Sequence, residues 1–346
     1  MQIYHCSRTC RIKLFTLNFL FLIFLTWLAS YNIIFETTDS VIYQEYYESI
    51  GIENDYETVF GFREAIESTA LGAKGFEPAF NLLATISKLE LNLSFNNFVF
   101  LLIFFSLAIK FFLFFRRENS FFRILAYLLT LYFVFECLTI RNALAISLLF
   151  LAFEYRENKI FSIFILIVAC LTHYSIIIFS PLLFFYKKLE NNELFNKNFK
   201  YLSISILILF FIFYIFLYSY GRLSFYLEGN PDNINIYGIP KFILIWCYFY
   251  YLYSNLKLMD KNSSMLFAIG STTIAFATII FYFSLFSIRV LDVGILSFYL
   301  IEDNSFRNRD LGRFIVFLYI LQEVIVRTLP TAGIYEIQKL VHIFSI

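Results

Sequence analysis

Two phrases place reactive side chains at the edges of apolar runs: Thr139-Ile140-Arg141-Asn142-Ala143-Leu144-Ala145 and Leu171-Thr172-His173-Tyr174-Ser175. Both fall within the stretch Glu136 to Pro181, interrupted mainly by Glu154-Tyr155-Arg156-Glu157-Asn158-Lys159. Ionisable groups at the ends of membrane-like segments are costly, which makes them functional candidates. A guanidinium is a planar fork that suits phosphate oxygens. An imidazole can take a proton from a reacting hydroxyl. The pair reads as an anion clamp beside a proton acceptor, in an active site open to the outer face of a membrane.

A depth count places further residues beside them. At about 1.5 Å per residue, Arg141 is 15 residues from Arg156, or about 22 Å above the inner boundary. His173 is 14 residues from both Lys159 and Lys187, about 21 Å by either route. Arg289 counts to about 20 Å from Glu302, and Arg327 to about 21 Å from Arg313. The hydrocarbon core is about 30 Å thick, so all four land at one level below the outer surface. Arg222, about 33 Å from Lys200, emerges at the surface. The alternative for each arginine is a helix-end side chain that snorkels to the headgroups in a thin bilayer. A charge at a span centre costs about 2.5–3.5 kcal/mol, so an anionic ligand or counter-ion is expected. Glu136 is a candidate counter-ion for Arg141. Five residues of helix leave the two about 140° apart, so they can pair only across a helix break.

The elements that must position these groups are membrane spans. The chain has 346 residues, 60% of them hydrophobic, with a mean hydropathy of +0.72. That is more apolar than a soluble domain, and runs near 20 residues recur along its length. The expected fold is an all-α, polytopic transmembrane bundle, one integral membrane domain over residues 1–346. The spans are Leu14–Phe35 (uncleaved), Asn96–Phe115, Phe121–Leu138, Asn142–Tyr155, Ile160–Thr172, Ile176–Tyr186, Tyr201–Tyr220, Lys241–Leu256, Met265–Phe283, Ser287–Ile301 and Phe314–Leu329. Asn81–Leu93 is semi-polar and lies at the interface or enters the membrane part-way.

Charge sets the orientation. Of the 27 Lys and Arg, 17 fall in segments that alternation makes cytoplasmic, as the positive-inside rule requires. The N-terminus is then cytoplasmic. Glu36–Pro78, with ten acidic residues against Arg63 and Lys74, is an external loop, as is 221–240. The 48 Phe and 25 Tyr are read as compositional bias and interfacial aromatics rather than a binding cage. The five cysteines show no metal-like spacing. Walker, dinucleotide Gly and HExxH motifs are absent, so nucleotide chemistry and zinc hydrolysis have no support.

The order of motifs resembles a known family. Asp39 and Tyr43 in the acidic loop are followed by Glu77-Pro78-Ala79-Phe80, Ile140-Arg141-Asn142-Ala143-Leu144-Ala145, His173-Tyr174-Ser175 and Ile288-Arg289. This pattern is similar to the EpsG family of Wzy-like bacterial polysaccharide polymerases. The family usually has Gly before the loop Asp, where this chain has Thr38. The resemblance implies a GT-C-like integral membrane glycosyltransferase that joins oligosaccharide units carried on undecaprenyl diphosphate. The product would be O-antigen, capsule or exopolysaccharide, made at the outer face of the inner, cytoplasmic membrane. Its partners would be a chain-length regulator and a flippase; nucleic acid has no role. Arg141 and His173 would be catalytic. Arg141, Arg289 and Arg327 would hold the diphosphate, with Asp39, Glu136 and Tyr174 as accessory candidates. Without an Asp-x-Asp motif, neither a metal nor another cofactor is expected. The competing functions are an O-antigen ligase using the same donor, and a polysaccharide flippase or transporter.

Overall fold

The computed structural model describes residues 18–30, 38–50, 77–117, 120–179, 238–280, 285–301 and 306–328. Within them every regular element is a helix. In chain order these are α1 (Asn18–Ser30), α2 (Thr38–Ser49), α3 (Pro78–Thr85) and α4 (Phe95–Phe115). Next come α5 (Ser120–Thr130), α6 (Ile140–Glu154) and α7 (Lys159–Thr172). The last four are α8 (Gly238–Ser254), α9 (Lys261–Ile280), α10 (Leu285–Tyr299) and α11 (Arg309–Thr328). Arg222, the run Tyr201–Tyr220 and the tail from Pro330 lie outside the described residues, as does Ile176–Tyr186 beyond Phe179.

The helices fall into two compact units. The first contains α1 to α3, α4 as far as Leu113, and Phe133–Ile176. The second contains Phe114–Tyr132 and the described residues from Ile177 onward. The expected span Phe121–Leu138 is therefore divided. Helix α5 ends at Thr130, whose hydroxyl donates back to the Ala126 carbonyl at 2.7 Å. The chain resumes as a π-helix, Phe133–Leu138, and breaks again at Thr139, where φ is −134° and ψ is 58°. π-turns of this kind collect at functional sites.

Among the described residues, α4 is both long and apolar enough to cross a bilayer, and α1, α5, α7 and much of α8 are shorter apolar helices. Helices α6 and α7 form an antiparallel hairpin. Asn158 closes its turn by accepting from the Phe161 amide at 3.3 Å, a side-chain N-cap. Small residues let the pair approach closely: Ala143, Ala145, Ser147 and Ala152 on α6 and Ala169 on α7 are buried. Ser162 donates across the hairpin to the Ala152 carbonyl at 2.8 Å.

The semi-polar stretch expected to go part-way in is α3, continued by a π-helix at Ile86–Glu90. It spans about 20 Å at helical rise, short of a crossing, and packs against α7. Part of the acidic loop is folded too. Helix α2 docks through Tyr47, stacked on Phe98 at 5.0 Å, with its hydroxyl on the Leu93 carbonyl at 2.8 Å. Lys88 donates to the Tyr47 and Glu48 carbonyls at 2.8 and 2.6 Å, closing the end of α2 with a cation as the helix dipole favours.

In the second unit, α9 and α10 make the closest helix pair. A Cβ on Gly294 would clash with the Thr273 hydroxyl and lie 3.1 Å from the Gly270 carbonyl. Only a hydrogen there lets the backbones meet, the small-residue packing typical of membrane helices.

Candidate functional site

The hairpin sets the site. Arg141 stands in the first turn of α6 and His173 at the C-cap of α7, so the antiparallel arrangement brings both to the same open end. His173 leaves the helix with extended backbone, φ −155° and ψ 117°, before a 3₁₀ turn, Tyr174–Phe179. This break re-aims its side chain.

Both side chains meet one carboxylate. Glu77, the N-cap residue of α3, accepts from Arg141 Nη1 on Oε2 and lies 2.7 Å from His173 Nδ1 through Oε1. Pro78 at the first helical position fixes the chain's entry into α3. Arg141 Nε also donates to the Tyr43 hydroxyl at 3.1 Å. The guanidinium lies 4.9 Å from the Tyr43 ring centre and 5.6 Å from that of Phe80, within cation–π range. Those rings pack on each other at 5.6 Å and are nearly fully buried. They hold the fork in one orientation.

Burial by itself would raise the Glu77 carboxyl. The hydrogen bond to His173, then the charges of Arg141 and His173, outweigh it and hold the group down at about 2. Glu77 is thus an anion at neutral pH. Its own side chain is 10% exposed, whereas those of Arg141 and His173 are 19% and 20% exposed. Each partner keeps an accessible edge. The first turn of α6 adds the positive end of its helix dipole. The site can hold an oxyanion beside a group able to accept a proton.

Glu136 serves elsewhere. Its Oε1 binds Lys110 Nζ at 2.7 Å, and both are buried. Lys110 also donates to Ser106 Oγ at 2.7 Å and to the Ala143 carbonyl at 3.1 Å, while Ser106 Oγ lies 3.2 Å from Ser147 Oγ. The helix break needed for a Glu136–Arg141 pair does occur, at Thr139. A buried ammonium is expensive to leave alone, and the Glu136 carboxylate pairs with it; among the described residues Glu77 is a carboxylate on Arg141. Arg289 and Arg327 lie on α10 and α11 in the second unit. Their side chains, and that of Asp39 on α2, are outside the described residues. Tyr174 follows His173 in the 3₁₀ turn and is part-buried. Among the described residues no His, Cys, Asp and Glu group has the makings of a metal site.

A family profile matches residues 13–329, nearly the whole chain. The chain belongs to the EpsG family. EpsG is a Wzy-like polysaccharide polymerase family, which makes this a membrane protein of polysaccharide biosynthesis with a glycosyltransferase-like polymerase activity. The family's substrate is a lipid-linked oligosaccharide. Comparison with curated proteins and with solved structures found no match.

Two charged residues of this EpsG chain escape a run-by-run reading. Lys110 hides in α4, whose mean hydropathy is 2.7; a lone lysine in so apolar a helix was its available signal. Lys241, which looks like a span-end cation, instead lies 3.0 Å from Glu323 and 3.7 Å from Asp292 in the second unit.

Proposed function

We propose that the chain polymerises oligosaccharide repeat units carried on undecaprenyl diphosphate, at the outer face of the cytoplasmic membrane, as a polytopic GT-C-like bundle. The observation that carries this reading is the meeting of Arg141 and His173 on one carboxylate at the open end of the α6–α7 hairpin. A guanidinium that already grips an oxyanion, backed by two aromatic rings, is built to grip a diphosphate oxygen. Charge grows on that diphosphate as the glycosidic bond to the lipid carrier breaks, and a preorganised cation stabilises it. His173 takes the proton of the attacking sugar hydroxyl. With charge stabilisation supplied by arginine and no Asp-x-Asp motif in the chain, the reaction is metal-independent in this proposal. Polymer yield from purified protein and lipid-linked donor should be unchanged by a chelator.

Deletion followed by analysis of the surface glycan tests the function. The expected outcome is glycan reduced to single capped repeat units. Full-length polymer left unattached would identify a ligase, and accumulation of inward-facing lipid-linked unit would identify a flippase; either overturns the polymerase reading.

A further inference from the structure

Glu77 has so far been only the group that Arg141 and His173 share. Its geometry assigns it more. An ionised carboxylate can only accept hydrogen bonds, so the 2.7 Å contact from Oε1 requires a hydrogen on His173 Nδ1. In the neutral ring the other nitrogen, Nε2, then carries the lone pair. The ring is one-fifth exposed while the Glu77 carboxylate is mostly covered, which leaves the accessible edge to the far side of the imidazole.

We propose that Glu77 is a positioning residue, holding His173 in the Nδ1–H tautomer with Nε2 as the proton acceptor, and that the donor's diphosphate displaces its second oxygen from Arg141. This rests on the polymerase reading above. The acceptor hydroxyl oxygen forms its bond to the anomeric carbon and its proton passes to Nε2. The bond from that carbon to the diphosphate oxygen breaks, and the electron pair leaves with the diphosphate, which Arg141 holds. The imidazolium so formed is stabilised by Glu77 through Nδ1–H, as a buried carboxylate does in hydrolase triads.

The two oxygens of Glu77 thus have opposite effects. Oε1 assists proton transfer. Oε2 competes with the incoming diphosphate for Arg141 Nη1. A merely structural role, tying α3 to the hairpin, would lower the folded fraction without altering the tautomer or separating turnover from binding.

The test uses full-length detergent-solubilised protein labelled with nitrogen-15 histidine. The chain has three histidines, His5, His173 and His342, so His173→Gln identifies the signal of interest. Wild-type protein with the ring neutral should show His173 protonated at Nδ1. In Glu77→Gln the amide can either donate or accept, so the tautomers should mix. With a lipid-linked donor, Glu77→Gln should lose at least about tenfold in kcat, toward the 10²–10⁴ range of base catalysis, with KM unchanged or lower. A wild-type His173 protonated at Nε2 overturns the proposal, and needs no variant to fold. So does a folded Glu77→Gln protein that keeps wild-type kcat. Failure of the polymerase reading is separate: wild-type protein would then form no polymer from the lipid-linked donor, whatever tautomer His173 shows.

Discussion

A guanidinium in the first turn of a helix sits against that helix's own dipole, and Arg141 does so inside an apolar hairpin end. Its position is bearable because Glu77, Tyr43 and Phe80 surround it. Lysine at this position keeps the charge but loses the fork and the flat face that lies on the rings. Arg141→Lys should therefore insert and fold normally while polymer formation falls by about 10²–10³, the usual loss for one transition-state donor. Glycan chain-length profiles at matched expression check it. Wild-type lengths would remove Arg141 from the site. His173→Ala should lose about 10²–10⁴ in rate if the ring is a base. Loss of a structural hydrogen bond would cost only about 1 kcal/mol and lower abundance instead. A purified rate within about tenfold of wild type would pass the proton to another acceptor. Arg141 and His173 were legible in the sequence because charge is rare and costly in apolar runs. Glu77 was visible only as part of a family-like phrase. It is one of ten acidic residues in its loop, and its partners lie 64 and 96 residues away, a pairing no local pattern encodes.

Elements decide where those side chains meet. The depth count placed Arg141 and His173 level because each lies about the same number of residues from the hairpin turn; antiparallel packing of α6 and α7 brings both to one end, where they meet on Glu77. What counting could not supply was α3, a short helix that enters beside α7 and carries the carboxylate at its N-cap. Its latch is acid-sensitive. Glu77 titrates near 2 when folded, below the ordinary 4.5. It therefore contributes stability that is complete above about 4.5 and lost as pH falls from there toward 2. In thermal unfolding, wild type should exceed Glu77→Gln at pH 6, and the gap should narrow by pH 3 and close only as the pH falls below about 2. A gap that stays constant would mean the carboxylate's charge does not hold α3. The Lys110–Glu136 pair plays the corresponding part elsewhere in the same unit, joining α4 to the π-helix ahead of α6. Breaking a buried pair from one side costs about 3–5 kcal/mol, whereas replacing both partners with apolar groups is often nearly neutral. Lys110→Met alone should be strongly destabilised, and Lys110→Met with Glu136→Leu should recover most of the loss. Equal stability of the single and double variants would show that the two charges are not coupled.

At the scale of the whole molecule, all-helical architecture was legible from hydropathy because a backbone in lipid must satisfy its own hydrogen bonds, which helices do. Orientation comes from a different force, the retention of cationic loops on the cytoplasmic side, and it decides which substrate pool the site can meet. The Glu77 site lies at the end of the acidic loop, so if that loop is external the lipid-linked donor must already have been moved outward. Ser49 reports on this directly. It is the last residue of α2, exposed, with its hydroxyl on the Tyr46 carbonyl at 2.7 Å and no role in the contacts of the site. In a background with the five native cysteines replaced, Ser49→Cys should react with a membrane-impermeant thiol reagent in intact cells whose outer barrier is permeable. Helix α2 carries Tyr43, which touches Arg141, so the label reads the side of the membrane on which the site opens. Reaction only after lysis would place α2 and the hairpin's open end in the cytoplasm, and the donor would then be engaged before it crosses.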